Sequence, residues 1–444
     1  MTLPVYNLGT QDGRCAFGER LRRLRYTTAA DQQASQDVAR IITDVRERGD
    51  DAVVQYMRQW VDPDFDTDRL RVAADEIAAA RAGLDSDLET AIRVSIEHVH
   101  AYHEHVKPAD PPPIALDGAE LGMRFTPVDS VGLTVPGGTA VLFSTLIMLA
   151  VPAQVAGVAL DRIAVINPPP TRQAGTPAGD ISPIVLAVCD ILGVKQVYRI
   201  GGAQGVAALA LGTQTIDRVD MIAGPGNIYV QLAKAQVAGL VGTDGGFYGP
   251  SEITTIADGS ANPRNVAADL IAQAEHDPGK CFLIAWSGDV LDAIVRQVGE
   301  QVRSRERRGA IEAALCDESC AVQVVDAAQA VEVANTIACE HVNLAVADPD
   351  AVLSELRHAG EVFLSDKTPV AAGDYFAGPS HCLPTGSTAR FASGVSTYTF
   401  LKRTGTVRYR EGMSKSTIDA IARLAEAEGL DGHAESVRVR RSQA

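Results

Sequence analysis

From Asp129 onward the chain alternates short β-branched runs with longer segments whose apolar positions recur at helical spacing, the pattern of βαβ units around a parallel sheet. The pattern predicts strands at 130–134, 163–167, 196–200 and 219–223, with helices near 143–158, 184–192, 204–211 and 229–239. A second series starts at Glu252, with strands near 253–257, 281–285, 321–325, 343–347 and 362–364 and helices beginning near Asn262, Asp289, Ala327 and Pro349. Before Asp129, residues 27–107 have helical periodicity and high charge, as expected of helices packed against a sheet, and the proline-dense stretch 108–113 must run extended. Residues 168–182, rich in Pro, Gly and Thr, read as a surface loop. After Phe391 regularity stops until a helix near 414–428, which ends at Gly429 before a short polar tail. The expected fold is α/β, with two Rossmann-like doubly wound units and small N- and C-terminal helical appendages. No repeat of fixed period or low-complexity tract interrupts it.

Length supports more than one core, since 444 residues exceed the ~100–200 typical of a domain. The formal net charge of −16 repels polyanions, and the dense basic run is confined to Arg438, Arg440 and Arg441, so nucleic acid is not an expected partner. Cys15, Cys189, Cys281, Cys316, Cys320, Cys339 and Cys382 are odd in number and scattered, unlike a disulfide framework, which points to a reducing compartment. The start, Met1-Thr2-Leu3-Pro4, has no charged segment followed by an apolar stretch. The longest apolar region, 143–160, is broken by Ser144, Thr145, Pro152 and Gln154, and so reads as a buried helix rather than a membrane span of ~20 apolar residues. A cytoplasmic location follows as the expectation.

Several segments carry candidate chemistry. Asn262-Pro263 should cap and start a helix running towards His276, which puts Gln273 and His276 on one face at the i, i+3 spacing that permits shared ligation of an ion. Ordinary helix-end capping is the competing reading. Glu340-His341 falls where a helix gives way to a strand; the imidazole suits proton abstraction and the carboxylate water activation, while a helix-end His balancing the macrodipole is the bland alternative. The stretch from Gly373-Asp374 to Thr385-Gly386 concentrates Gly, Pro, Asp374 and His381 after the last strand, where open α/β sheets bind ligands. His98, His100, His103 and His105 invite a metal reading, but they divide between two helix faces and read as a wet surface. The dinucleotide fingerprint is missing, because Tyr229 takes the place of the third glycine after Gly224-Pro225-Gly226-Asn227. Three glycine turns remain, Pro136-Gly137-Gly138-Thr139, Gly201-Gly202-Ala203-Gln204 and that one; each fits either a pyrophosphate or a tight βα connection.

Taken in order and spacing, Gly249-Pro250-Ser251-Glu252, Gln273-Ala274-Glu275-His276-Asp277, Glu340-His341 and Gly378-Pro379-Ser380-His381-Cys382-Leu383-Pro384-Thr385 resemble the histidinol dehydrogenase family, and the resemblance runs from the N-terminal helices to His433. It implies that Gln273, His276, Asp374 and His433 bind one Zn2+ per subunit, completed by the substrate's imidazole and amino nitrogens. His341 would take the hydroxyl proton and Glu340 activate water at the aldehyde stage, with Ser251, His381 and Glu428 as substrate contacts. NAD would lie against residues 134–251, with Thr134, Gln204 and Asn227 at positions matching cofactor contacts; Thr134 stands where many relatives carry an aromatic residue. The implied division is an N-terminal appendage at 1–29, a zinc and substrate domain at 30–133 and 252–390, an NAD domain at 134–251, and a C-terminal appendage at 391–444. The implied reaction is the two-step, NAD-linked oxidation of L-histidinol through L-histidinaldehyde to L-histidine, the last steps of histidine biosynthesis. It needs no covalent cysteine, so Cys339 is read as a structural thiol. The family also implies a homodimer in which Glu428 and His433 cross to the other subunit. A zinc-dependent hydrolase without nicotinamide is the alternative, since one zinc, a His and a Glu serve water activation equally well.

Overall fold

Each of the two strand series closes into a parallel sheet of its own in the structure, a computed structural model that describes residues 3–24, 32–137, 141–172, 179–276 and 279–441. Gly138, Thr139, Asp277 and the middle of the 168–182 loop lie outside the described residues. The strands in chain order are β1 (Val5–Asn7), β2 (Ile114–Leu116), β3 (Ala119–Pro127), β4 (Val131–Thr134), β5 (Ile163–Ile166), β6 (Gln196–Tyr198), β7 (Met221–Ala223), β8 (Gly242–Thr243), β9 (Glu252–Ala257), β10 (Lys280–Ala285), β11 (Cys320–Gln323), β12 (His341–Ala345), β13 (Glu361–Leu364) and β14 (Leu401–Tyr409).

The first sheet has the order β6-β5-β4-β7-β8 and the second β1-β11-β10-β9-β12-β13. Strands β4, β5, β9 and β10 are buried along their whole length, which is why they appear as continuous apolar or β-branched runs without alternation. Both faces of each sheet are covered. On the first, helices Phe143–Ala156 and Pro183–Leu192 fill one side and Gly202–Leu211 and Ile228–Val237 the other. On the second, Pro263–Ala274, Gly288–Gln301 and Arg308–Asp317 oppose Ala327–Ile337. Among the described residues no helix is long and apolar enough to cross a membrane.

Four features depart from the sequence reading. Residues 32–106, grouped there with the second unit, pack on the first sheet: helices Gln32–Arg48 and Asp50–Trp60 join the core of the 202–211 helix, and Ala74–Ala82 and Ser86–Val106 pack with the helices at 143–156 and 183–192. The first residues are no appendage, because β1 pairs with β11 and Phe17, Leu21 and Leu24 of helix Gln11–Leu24 enter the second sheet's core. The region after Phe391 contains β14, paired antiparallel along its whole length with β3. That ribbon was illegible because it is largely solvated on both faces and shows no alternation. The polar tail is in fact a helix, Asp431–Arg438, packed back on Lys415–Ala427.

The histidine run is a wet face at His98, His100 and His105 but not at His103, which is fully buried with neither ring nitrogen hydrogen-bonded. Burial pulls its pKa down from 6.5 to about 4, with His100 adding to the shift. The unfolded ring therefore binds a proton that the folded ring refuses across this window, so stability falls as pH drops from 6.5 and the loss is complete below 4. The shift corresponds to roughly 3 kcal/mol. His103→Leu should move the acid-unfolding midpoint to lower pH relative to the parent; parallel pH profiles for the two proteins would contradict the assignment.

Candidate functional site

A cavity of about 530 Å3 opens between the sheets. One wall comes from the carboxyl ends of the first sheet: Thr134 closing β4, Gly201 beyond β6, and Pro225, Gly226 and Asn227 beyond β7. The other wall comes from the amino ends of the second: Ser251 ahead of β9, and Glu340 and His341 at the start of β12. His276, Asp374 and His381 complete the lining. The sequence reading expected Asp374 beyond a strand's carboxyl end. Instead the short helix Val370–Tyr375 carries the chain back along β13, pressing Gly373 against the side chains of Phe363 and Glu361 and delivering Asp374 to the amino edge. A six-residue helix has too little periodicity to be read in advance.

His341 is buried, and its Nδ1 lies 3.2 Å from the main-chain oxygen of Glu252 and 3.5 Å from a Glu340 oxygen. Both neighbours are acceptors, so Nδ1 carries the ring proton and Nε2 presents a bare lone pair. That Nε2 is buried without a hydrogen-bond partner, 4.0 Å from Asp374 Oδ1. Burial lowers the ring's pKa to about 4, against the opposing pull of Asp374, so the imidazole is neutral at physiological pH. Glu340 Oε2 accepts from Ser251 Oγ at 2.5 Å and from the Glu252 amide at 2.8 Å. Burial nonetheless drives this carboxyl well above its ordinary range, and the Ser251 and Glu252 bonds only moderate the shift. The base and the acid are thus pushed in opposite directions by the same desolvation.

The supporting shell includes groups that sequence reasoning missed. Glu252 is fully buried at the head of β9; its carboxylate lies 3.5 Å from Lys280 Nζ and accepts from the Gly386 amide at 3.1 Å. Its carbonyl, on a residue paired with Lys280 of β10, fixes His341. Thr145 holds His381 from the other side, 3.1 Å from Nε2, while His381 Nδ1 lies 2.7 Å from the Asp374 carbonyl oxygen. Glu252 stands inside the Gly249–Glu252 motif, so a signal existed for it. Thr145 sits in an apolar stretch that offered none.

A family model for histidinol dehydrogenase matches residues 24–441. The chain belongs to the histidinol dehydrogenase family. It is 43% identical to histidinol dehydrogenase of Thermosynechococcus vestitus, covering 95% of this chain and 96% of that protein. The histidinol dehydrogenase of a Synechococcus species is 44% identical, with 91% of each chain covered. The crystal structure of histidinol dehydrogenase from Elizabethkingia anophelis superposes with a TM-score of 0.88 at 31% identity, covering 99% of this chain and 98% of that one. Membership makes the chain an oxidoreductase of this type.

Of the residues that the family resemblance singles out, the fold gathers Ser251, His276, Glu340, His341, Asp374, His381, Thr134 and Asn227 around one cavity. Gln204 lines an adjoining cavity of about 990 Å3 that shares Gly137, Pro168, Gly201, Gly202 and Asn227 with the first. The helix carrying Gln273 stops at Ala274, and the chain turns once more so that the His276 amide donates to the Gln273 carbonyl at 3.3 Å. The Gln273 side chain is buried there with its amide nitrogen unpartnered. Glu428 and His433 sit on the C-terminal helical hairpin and do not line this chain's cavity. Among the described residues no three His, Cys, Asp or Glu side chains converge closely enough to hold an ion. Thr134 presents no ring; its hydroxyl donates to the Pro225 carbonyl at 2.9 Å. Asn227 caps helix Ile228–Val237, accepting from the amides of Tyr229 and Val230. Gly224 adopts φ +122°, and a side chain there would collide with the Thr134 carbonyl. Cys339 is a fully buried thiol whose pKa burial raises, as a structural cysteine requires.

Proposed function

We propose that this enzyme oxidises L-histidinol through the aldehyde to L-histidine with NAD as hydride acceptor and zinc as resident metal, in the cytoplasm. The observation that carries the reading is the bare, neutral His341 Nε2 beside a carboxyl of raised pKa, in a cavity walled by glycine turns on one side and by His276 and Asp374 on the other. His341 accepts the carbinol proton at Nε2 while Nδ1–H stays on the Glu252 carbonyl. Glu340, steadied by Ser251, handles the water that adds to the aldehyde. Removing two hydrides and adding one water makes two NAD per product.

The first sheet and its helices, including those of residues 32–106, form the NAD unit in this proposal, and the second sheet forms the zinc and substrate unit. The donor types fit zinc: the Gln273 amide, the His276 imidazole and the Asp374 carboxylate come from this chain and leave coordination positions open. Zinc bound there would hold the substrate through its imidazole and amino nitrogens and so position the carbinol. Within a homodimer, His433 of the partner subunit supplies the fourth protein ligand, and Glu428 of the partner subunit is a substrate contact.

Given histidinol and NAD, the purified enzyme should release about two NADH per histidine, lose activity on chelation and regain it with zinc. Turnover of esters or amides without NAD would instead identify a zinc hydrolase.

A further inference from the structure

Hydride transfer puts the nicotinamide ring in the cavity that holds His341. The adjoining cavity of about 990 Å3 meets the first at the glycine turns, where Gly137, Gly201, Gly202 and Asn227 line both. A dinucleotide whose phosphates lie at those turns, ahead of helices Gly202–Leu211 and Ile228–Val237, has its nicotinamide in one cavity and its adenosine in the other. Resting on the NAD reading above, we propose that Trp60 is the platform on which the adenine base stacks, which makes the second cavity the adenosine subsite.

Trp60 ends helix Asp50–Trp60 and lines the second cavity. One face of its indole is already taken. Tyr56, one turn earlier, stacks on it with ring centroids 4.8 Å apart and planes 16° from parallel. Tyr56 is held in place, buried in the first sheet's core with its hydroxyl donating to Asp44. Trp60 is nevertheless 43% exposed. With Tyr56 covering one face, what Trp60 brings to the cavity is the opposite face and the ring's edge.

A solitary exposed indole would be ordinary surface. Here a second aromatic residue, Tyr229, is 41% exposed and lines the same cavity, at the position where it displaces the third glycine of a dinucleotide fingerprint. Gln204 ties the cavity to the helix of Trp60, because its side-chain amide donates to Met57 Sδ at 3.7 Å, one turn before the indole. Among the described residues lining the cavity the charged ones are Arg40 and Asp37, and they are bonded to each other at 2.8 Å, so the cavity carries no net charge for a phosphate. A planar, uncharged base fits these walls, and aromatic stacking holds it at a gain beyond buried area.

The chain has two tryptophans, and Trp286 lines neither cavity, so Trp286→Phe leaves Trp60 as the sole indole emitter. In that variant ADP-ribose, which lacks nicotinamide, should quench the emission saturably, whereas nicotinamide mononucleotide should leave it unchanged. By calorimetry, Trp60→Ala should bind NAD and ADP-ribose roughly three- to tenfold more weakly, both by the same factor, with Trp60→Phe near the parent and zinc content unchanged. If Trp60→Ala fails to fold, the fluorescence titration, which keeps Trp60 in place, carries the test. ADP-ribose that binds without quenching, nicotinamide mononucleotide that quenches as deeply, or parental affinities in Trp60→Ala overturns the assignment while leaving the NAD reading intact. A parent enzyme that binds neither NAD nor ADP-ribose overturns both.

Discussion

His341→Asn and Glu340→Gln should each lower turnover of histidinol roughly a hundred- to ten-thousandfold while the enzyme keeps its zinc and its fold. The asparagine amide can still donate to the Glu252 carbonyl, as His341 Nδ1 does at 3.2 Å, but nothing replaces the lone pair at Nε2. Burial keeps the ring unprotonated and so free to accept, and Asp374 at 4.0 Å opposes the loss of basicity that burial brings and stabilises a proton gained in the reaction. In Glu340→Gln the amide oxygen can go on accepting from Ser251 Oγ and the Glu252 amide, so the local structure survives and only the ionisable oxygen is lost. Neither residue is assigned to the metal. Steady-state kinetics with metal analysis on the same samples checks both points. Turnover within tenfold of the parent, or zinc lost in step with activity, would remove the pair from the chemistry.

That pair was legible as chemistry because Glu340 and His341 are adjacent in sequence and stand at the head of a strand, whose boundary the β-branched pattern located within two residues. The alternating units were legible for the same reason: strands such as Ile163–Ile166, buried on both faces, are unbroken apolar runs. The arrangement of the units was not. Local periodicity says that helices Gln32–Arg48 and Asp50–Trp60 have an apolar stripe, but not which sheet covers it, and they settle on the 202–211 helix through contacts far away in sequence. Nor does any pattern reveal that one sheet offers its carboxyl edge to the cavity and the other its amino edge. The buried Glu252–Lys280 pair that underlies His341 was equally hidden, since two charges 28 residues apart look like ordinary surface until β9 and β10 align them. The β3–β14 ribbon failed for another reason, because main-chain pairing fixes its register and side-chain burial contributes little.

His433→Ala should lower zinc occupancy and cut activity roughly a hundredfold or more, and mixing it with His341→Asn should restore what neither variant has alone. The hairpin carrying Glu428 and His433 has a small core of Ala422, Ala425 and Ala434 with Val437 packed against it, and Ile418 of its first helix is also buried. Leu424 on its first helix is 69% exposed, and the neighbouring ribbon exposes Ile114 at 62% and Val407 at 70%. This apolar surface is available to the second chain of the proposed homodimer. The hairpin is fastened to its own chain through Thr417 Oγ1, which donates to Asp117 at the β2–β3 turn, and not through the cavity. If the hairpin reaches into the partner's cavity, then a hybrid of the two variants holds one site with both lesions and one with none. Random reassociation makes about half of the dimers hybrids, so the mixture should recover about a quarter of parental activity after subunit exchange. Should His433 act within its own chain, every site in every dimer carries one lesion and the mixture stays as inactive as its components. The two arrangements therefore differ in turnover by far more than assay error, whereas the hybrid holds one zinc of two in either case.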